Sequence, residues 1–217
     1  MSMTLTDVKE LICEGENEQI EFKRKVTSPE RIARSLSAFA NSGGGFVLFG
    51  IDDDGSIIGI DSEKSVTEEI LLAGNQFCDP PIDPIVTSVE CYGREVIVVE
   101  VLESKQKPVY VWDQEKVEQD DPSVYIRIGD KSVIASDEAR HLLEAGNSEA
   151  PPLRISVGEY ERQLFEYLEN HGKIDISGYM ELAAIPRRKA LRTLIHLTRA
   201  GVLKYHFNEK GSHYTLA

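Results

Sequence analysis

The chain has 217 residues, 41% of them apolar, and sets 24 Lys and Arg against 37 Asp and Glu for a formal net charge of −13. That length allows one large or two small domains, each with its own core. The acidic excess argues against a surface that coats duplex DNA throughout, and no apolar run approaches membrane-spanning length. Cys13, Cys78 and Cys91 form no Cys-x-x-Cys pair, which points away from a disulfide framework or a zinc site.

Charge is unevenly spread. Residues 1–150 carry 14 basic and 30 acidic side chains, a net of −16, whereas residues 151–217 carry 10 and 7, a net of +3. Two modules with different surfaces are expected, over 1–146 and 158–217, joined by a linker at 147–157 that contains Pro151 and Pro152. The first ten residues lack a basic flank followed by an apolar core, so a cytoplasmic chain without a membrane segment is expected.

In chain order, Ile20 to Phe22 alternates with Glu21 and Lys23 as a short strand with one wet face. From Glu30 to Asn41 the apolar Ile32, Leu36, Phe39 and Ala40 recur at helical spacing. Gly43, Gly44 and Gly45 end that helix. Phe46 to Ile51 reads as a buried strand, Asp54-Gly55 as a tight turn and Ser56 to Ile60 as the returning strand. Glu63 to Phe77 predicts a helix stopped by Asp79-Pro80-Pro81. Strands follow at Ile85 to Cys91, Glu95 to Leu102, Val109 to Trp112 and Val124 to Ile128, with an acidic loop from Asp113 to Pro122. A helix from Ser136 to Ala145 closes the first domain.

The second module predicts three helices, at Tyr160 to His171, Ser177 to Ala184 and Pro186 to Ala200, with Pro186 at the first position of the third. Leu203 to Phe207 and His213 to Leu216 then pair across Asn208 to Ser212. Three helices and a hairpin resemble a winged helix-turn-helix. Its third helix places Arg188, Arg192, His196 and Arg199 on one outer row, beside Arg187, with Leu191, Leu194, Ile195 and Thr198 facing inward. Such a row can lie in a DNA major groove; the competing reading is the solvated face of a protein-interaction domain. His206 and His213 lie on the hairpin, toward phosphate or water.

The Glu16 to Phe22 segment, the Asn41-Ser42-Gly43-Gly44 turn and the Phe49-Gly50-Ile51-Asp52-Asp53-Asp54-Gly55 hairpin together resemble the Schlafen AlbA_2 domain. That family was once filed as a divergent ATPase and is found in many prokaryotic transcriptional regulators. The likeness spans roughly Asp7 to Gly146 and implies an α+β domain with a mixed sheet and packed helices. Ser42 to Gly45 lacks the Gly-x-x-x-x-Gly-Lys-Ser/Thr pattern, so a tight helix-to-strand turn is expected there and ATPase activity is not.

The resemblance and the cationic helix row together make a DNA-binding transcriptional regulator the expected function, and the first domain is expected to offer a local groove lined by Lys23, Lys25, Arg31 and Arg34. Vertebrate Schlafen cores set two such domains face to face, which suggests a homodimer for a chain holding one. The alternative is a metal-dependent endoribonuclease acting on RNA. Nuclease members of the family carry three acidic residues in the corresponding motifs, matched here by Glu16, Glu21 and Asp53, which would hold Mg²⁺ or Mn²⁺ while Lys23 assists. Against that stands a structural reading, in which Glu21 pairs with Lys23 or a helix arginine and Asp52 to Asp54 merely form the turn. A third possibility is a protein-interaction module.

Overall fold

The computed structural model describes residues 3–112, 122–146, 157–208 and 211–217. Most of the expected acidic loop (113–121), the linker residues 147–156, and Glu209 and Lys210 lie outside the described residues. The chain divides into two units, Met1–Ala135 and Ser136–Ala217.

The first unit runs α1 (Leu5–Glu14), β1 (Ile20–Lys23), α2 (Pro29–Asn41), β2 (Gly45–Phe49), α3 (Glu63–Gln76), β3 (Cys78–Asp79), β4 (Ile85–Cys91), β5 (Arg94–Val101), β6 (Tyr110–Val111), β7 (Ser123–Ile128) and β8 (Lys131–Ile134). One sheet has the order β1-β2-β5-β4 and the other β3-β6-β7-β8. β1 and β2 are parallel, as the intervening helix requires, and the remaining pairs are antiparallel. The mixed-sheet α+β class is the expected one.

α2 is the central element. Ser28 caps its N-terminus, Pro29 occupies its first turn, and nine of its residues from Ile32 to Asn41 are buried. It packs on strands of both sheets and on α3, and its Leu36 and Phe39 join Val47, Val99 and Tyr125 in one core. The opposite face of the β1-β2-β5-β4 sheet is covered by Val8 of α1 over Phe22, Leu48 and Val98. Burial of each such aliphatic side chain contributes about 1.5–3 kcal/mol.

The α2–β2 turn explains its glycines. Gly43, Gly44 and Gly45 all have positive φ, and a Cβ on Gly45 would stand 2.5 Å from the Gln19 carbonyl oxygen and 2.6 Å from the Phe39 ring. A tight turn is what the structure shows. The returning strand expected at Ser56 to Ile60 is reduced to one bridge between Ile51 and Ile57. Helix α1 and strand β8 have no counterpart in the sequence reading.

The second unit contains α4 (Asp137–Ala145), α5 (Glu159–His171), α6 (Ile176–Ala183), α7 (Arg187–Arg199) and the hairpin β9 (Leu203–His206) and β10 (His213–Leu216). α4, expected to close the first domain, packs instead on α7, with Leu142 against a core of Leu164, Leu168, Tyr179, Leu194, Leu197 and Tyr214. Ala184, in the left-handed conformation with φ 50°, turns the chain between α6 and α7, and Pro186 serves as N-cap one position before the helix. Ile174 bridges Tyr214 beside the hairpin. Among the described residues no helix is long and apolar enough to cross a membrane.

Candidate functional site

In the first unit, alternation along β1 turns Ile20 and Phe22 into the core and leaves Glu21 and Lys23 half-buried on the other side. Glu21 becomes the centre of a polar cluster. Its Oε1 accepts from Lys23 Nζ and from Ser35 Oγ at 2.8 Å; its Oε2 accepts from Arg127 Nη1 at 2.7 Å and from Ser132 Oγ at 3.3 Å. Arg127, one residue before the end of β7, has a side chain only 1% exposed. Its Nη2 donates to the carbonyl oxygen of Asn17 at 2.7 Å, and its guanidinium lies over the Phe39 ring at 4.6 Å. Burial pushes the Arg127 guanidinium below its ordinary value, against the opposing pull of the Glu21 charge.

Beside this pair, Asn41 ties α2 to the second sheet. Its amide nitrogen donates to the carbonyls of Val109 at 3.1 Å and Tyr125 at 2.9 Å, and its oxygen accepts from Val109 N at 2.8 Å. Ser42 Oγ accepts from Arg127 N at 2.8 Å. The Asn41 and Ser42 side chains thus hold this turn to the main chain of the second sheet.

The three acidic positions do not gather. Glu16 Oε1 accepts from the Phe22 main-chain nitrogen at 2.8 Å on the open edge of β1. Asp53 is exposed on the hairpin turn, where its own nitrogen donates to Asp52 Oδ1 at 3.1 Å. Asp52 is paired with Arg24 at 3.1 Å, and Asp54 Oδ1 accepts from Ser56 N at 2.8 Å. Among the described residues no group of three or more His, Cys, Asp or Glu side chains is arranged to hold a metal ion. Both Glu21 oxygens already accept from a cation and a hydroxyl, so the cluster as built does not fit Mg²⁺ or Mn²⁺.

Lys23 is engaged by Glu21, Arg34 is half-buried on α2, and Lys25 and Arg31 are exposed. Lys25 lines a cleft of about 370 Å³ with Arg24, Ser62 and Ser65; Arg24 was not in the sequence reading.

In the second unit α7 turns Ala190, Leu194 and Leu197 inward. This is a rotation from the expected set, in which Ile195 and Thr198 stood where Ala190 and Leu197 are the buried residues. Arg188, Arg192 and His196 are exposed and Arg199 is half-exposed, so the row expected on this helix is present. Two neighbouring cations are used internally. Arg187 Nη2 donates to Glu138 Oε1 at 3.2 Å, and Lys189 Nζ stands 3.7 Å from the centre of the Tyr160 ring. Glu138, from α4, has its carboxyl pushed up by burial and pulled back by Arg187.

Sequence reasoning missed Arg127, Ser35, Ser132 and Glu138. Arg127 had a visible signal, a lone charge inside the apolar run Val124 to Ile128, which calls for a buried partner. Glu138 had none, because its partner is 49 residues away.

Comparison with known proteins gives a family. The model of the family "Schlafen, AlbA_2" matches residues 16–136, more than half of the chain. No curated protein matches. Among solved structures, the N-terminal domain of a RecG-related protein from Nitrosomonas europaea aligns with a TM-score of 0.45 and 21% identity, over 72% of this chain and 96% of that one. A Corynebacterium diphtheriae protein aligns with a TM-score of 0.45 and 16% identity, over 71% of this chain and 35% of that one. At these levels neither structure bears on function. The family match covers β1, α2, the glycine turn, both sheets and the Arg127–Glu21 pair, and the chain belongs to the Schlafen AlbA_2 family.

Proposed function

We propose that this protein is a DNA-binding transcriptional regulator in which the second unit, a winged helix-turn-helix, contacts duplex DNA through α7. Membership of the Schlafen AlbA_2 family gives the chain a nucleic-acid-related role. The observation that carries the finer reading is the row Arg188, Arg192, His196 and Arg199 on a helix whose other side is fully committed to the core. Arginines spaced three and four residues apart on an exposed helix face reach phosphates and guanine edges in a major groove.

The internal pairing of Arg187 and Lys189 supports this division of labour. Glu138 and Tyr160 engage Arg187 and Lys189, while Arg188 between them and Arg192 one turn on are exposed. The net charge of −13 opposes non-specific coating of DNA by the whole protein. A homodimer, presenting two α7 helices to two half-sites, would supply the affinity that one small unit lacks.

Fluorescence anisotropy with labelled duplex DNA at rising salt tests the reading. Three or four phosphate contacts predict a log–log slope of about −3, and binding that ignores salt would refute it. Light scattering at the same concentrations reads the dimer, and a monomer in complex with a single site would remove that part.

A further inference from the structure

The outer face of the β9–β10 hairpin carries basic groups that neither the core nor the α7 row uses. Along β9, Leu203 is buried and Tyr205 packs against the second core, while Lys204 and His206 are exposed; along β10, Tyr214 is buried and His213 and Thr215 flank it on the other side. Register sets His206 opposite His213 and Lys204 opposite Thr215. The two imidazoles stack with centroids 4.9 Å apart and planes within 14°, and Thr215 Oγ1 holds His206 Nε2 at 2.9 Å.

Among the described residues, the charged groups that act on His213 are His206 and Lys173. Burial, the His206 ring opposite and Lys173 just before α6 all hold its imidazole below the ordinary value. Lys204 adds a further cation on the same strand face. His171, at the end of α5, is occupied by stacking on Tyr167. Two imidazolium ions at stacking distance repel, so the pair accommodates one proton at a time unless an anion is brought against it.

We propose that Lys173, Lys204, His206 and His213 form a phosphate-binding face whose paired histidines take up a proton from solvent when phosphate arrives. The inference rests on the reading that the ligand is nucleic acid, and deepens it by giving the hairpin a ligand class and a pH dependence. An approaching phosphate oxygen stabilises imidazolium and raises its pKa in the complex. The proton is then held more tightly bound than free, and affinity rises as pH falls through the bound value toward the free one.

The test is duplex-DNA anisotropy at pH 7.5 and pH 6.0 at fixed ionic strength, on the full chain carrying His196→Gln, which removes the imidazole of the α7 row, and on the same chain carrying His206→Gln and His213→Gln as well. Uptake of one proton predicts about tenfold tighter binding at the lower pH. The His196→Gln chain should show it, and the triple variant should lose it whatever its affinity at pH 7.5. Tightening retained in the triple variant, or absent from the His196→Gln chain, overturns the proposal. If no duplex binds at either pH, the DNA reading falls by itself and the histidines are read directly. An NMR titration of the imidazoles with and without sodium tripolyphosphate then decides: raised His206 or His213 values support a phosphate face, and unchanged values mean that the stack only packs the hairpin.

Discussion

Arg127 Nη1 stands 2.7 Å from Glu21 Oε2 with the arginine side chain almost wholly excluded from water, and the pair joins β7 of one sheet to β1 of the other. The two residues are 106 positions apart in sequence. Removing one partner of such a pair strands a buried charge, whereas removing both with apolar replacements of similar size is far less harmful.

Arg127→Met and Glu21→Gln should therefore each destabilise the first unit by about 3–5 kcal/mol, and the double variant by clearly less than the sum. Urea unfolding followed by a probe in that unit measures the cycle. Additive losses would show that the pair is not coupled. Loss of any activity in a Glu21 variant must be judged against this loss of fold.

The glycine turn gives a contrast between space and conformation. Gly45→Ala pushes a methyl into the Gln19 carbonyl and the Phe39 ring, at a cost of about 3 kcal/mol or more. Gly43→Ala meets nothing within 4 Å and bears only its φ of +104°, about 1–2 kcal/mol. Equal losses in thermal unfolding would contradict the packing described for this turn.

Much of this was legible in the sequence, and the failures have physical causes. α2 and β5 announce themselves because almost every apolar residue in them is buried. α1 buries only Val8, and all four residues of β8 are at least partly exposed, so neither carries a strong period. On α7, Ile195 and Leu197 are equally apolar, and only the packing of the other helices decides which faces inward. The acidic motif was visible as residues but not as geometry. Glu21 meets Arg127 through a long-range contact between strands of different sheets, and short-range spacing cannot place Glu16, Glu21 and Asp53 relative to it.

Glu138 predicts a pH effect on the second unit. Burial raises its folded-state pKa above the ordinary 4.5, so the folded unit holds that proton more tightly than the unfolded chain does. Its contribution is fully present below the ordinary value and is lost as pH rises through the raised one. Urea unfolding of wild type and Glu138→Gln between about pH 4 and pH 7 should show this decline in wild type alone. A parallel decline in both proteins would assign it to another group.

The acidic positions predict little response to metal. A site filled at a hundred times its Kd would add about 2.7 kcal/mol to stability. Neither Mg²⁺ nor Mn²⁺ should raise the melting temperature of the first unit by that equivalent, and Asp53→Ala should change stability by no more than about 0.5 kcal/mol. A metal-dependent rise in melting temperature that Asp53→Ala removes would show that the three carboxylates do converge on an ion.

Duplex-DNA anisotropy on wild type against Arg188→Ala with Arg192→Ala tests α7 as the nucleic-acid interface. Both side chains are exposed and lie outside the core, so the variant should fold normally while losing roughly 1–3 kcal/mol per arginine, a fall in affinity of at least about thirtyfold, with a shallower salt slope. Unchanged affinity and salt dependence in the folded variant would remove α7 as the nucleic-acid interface.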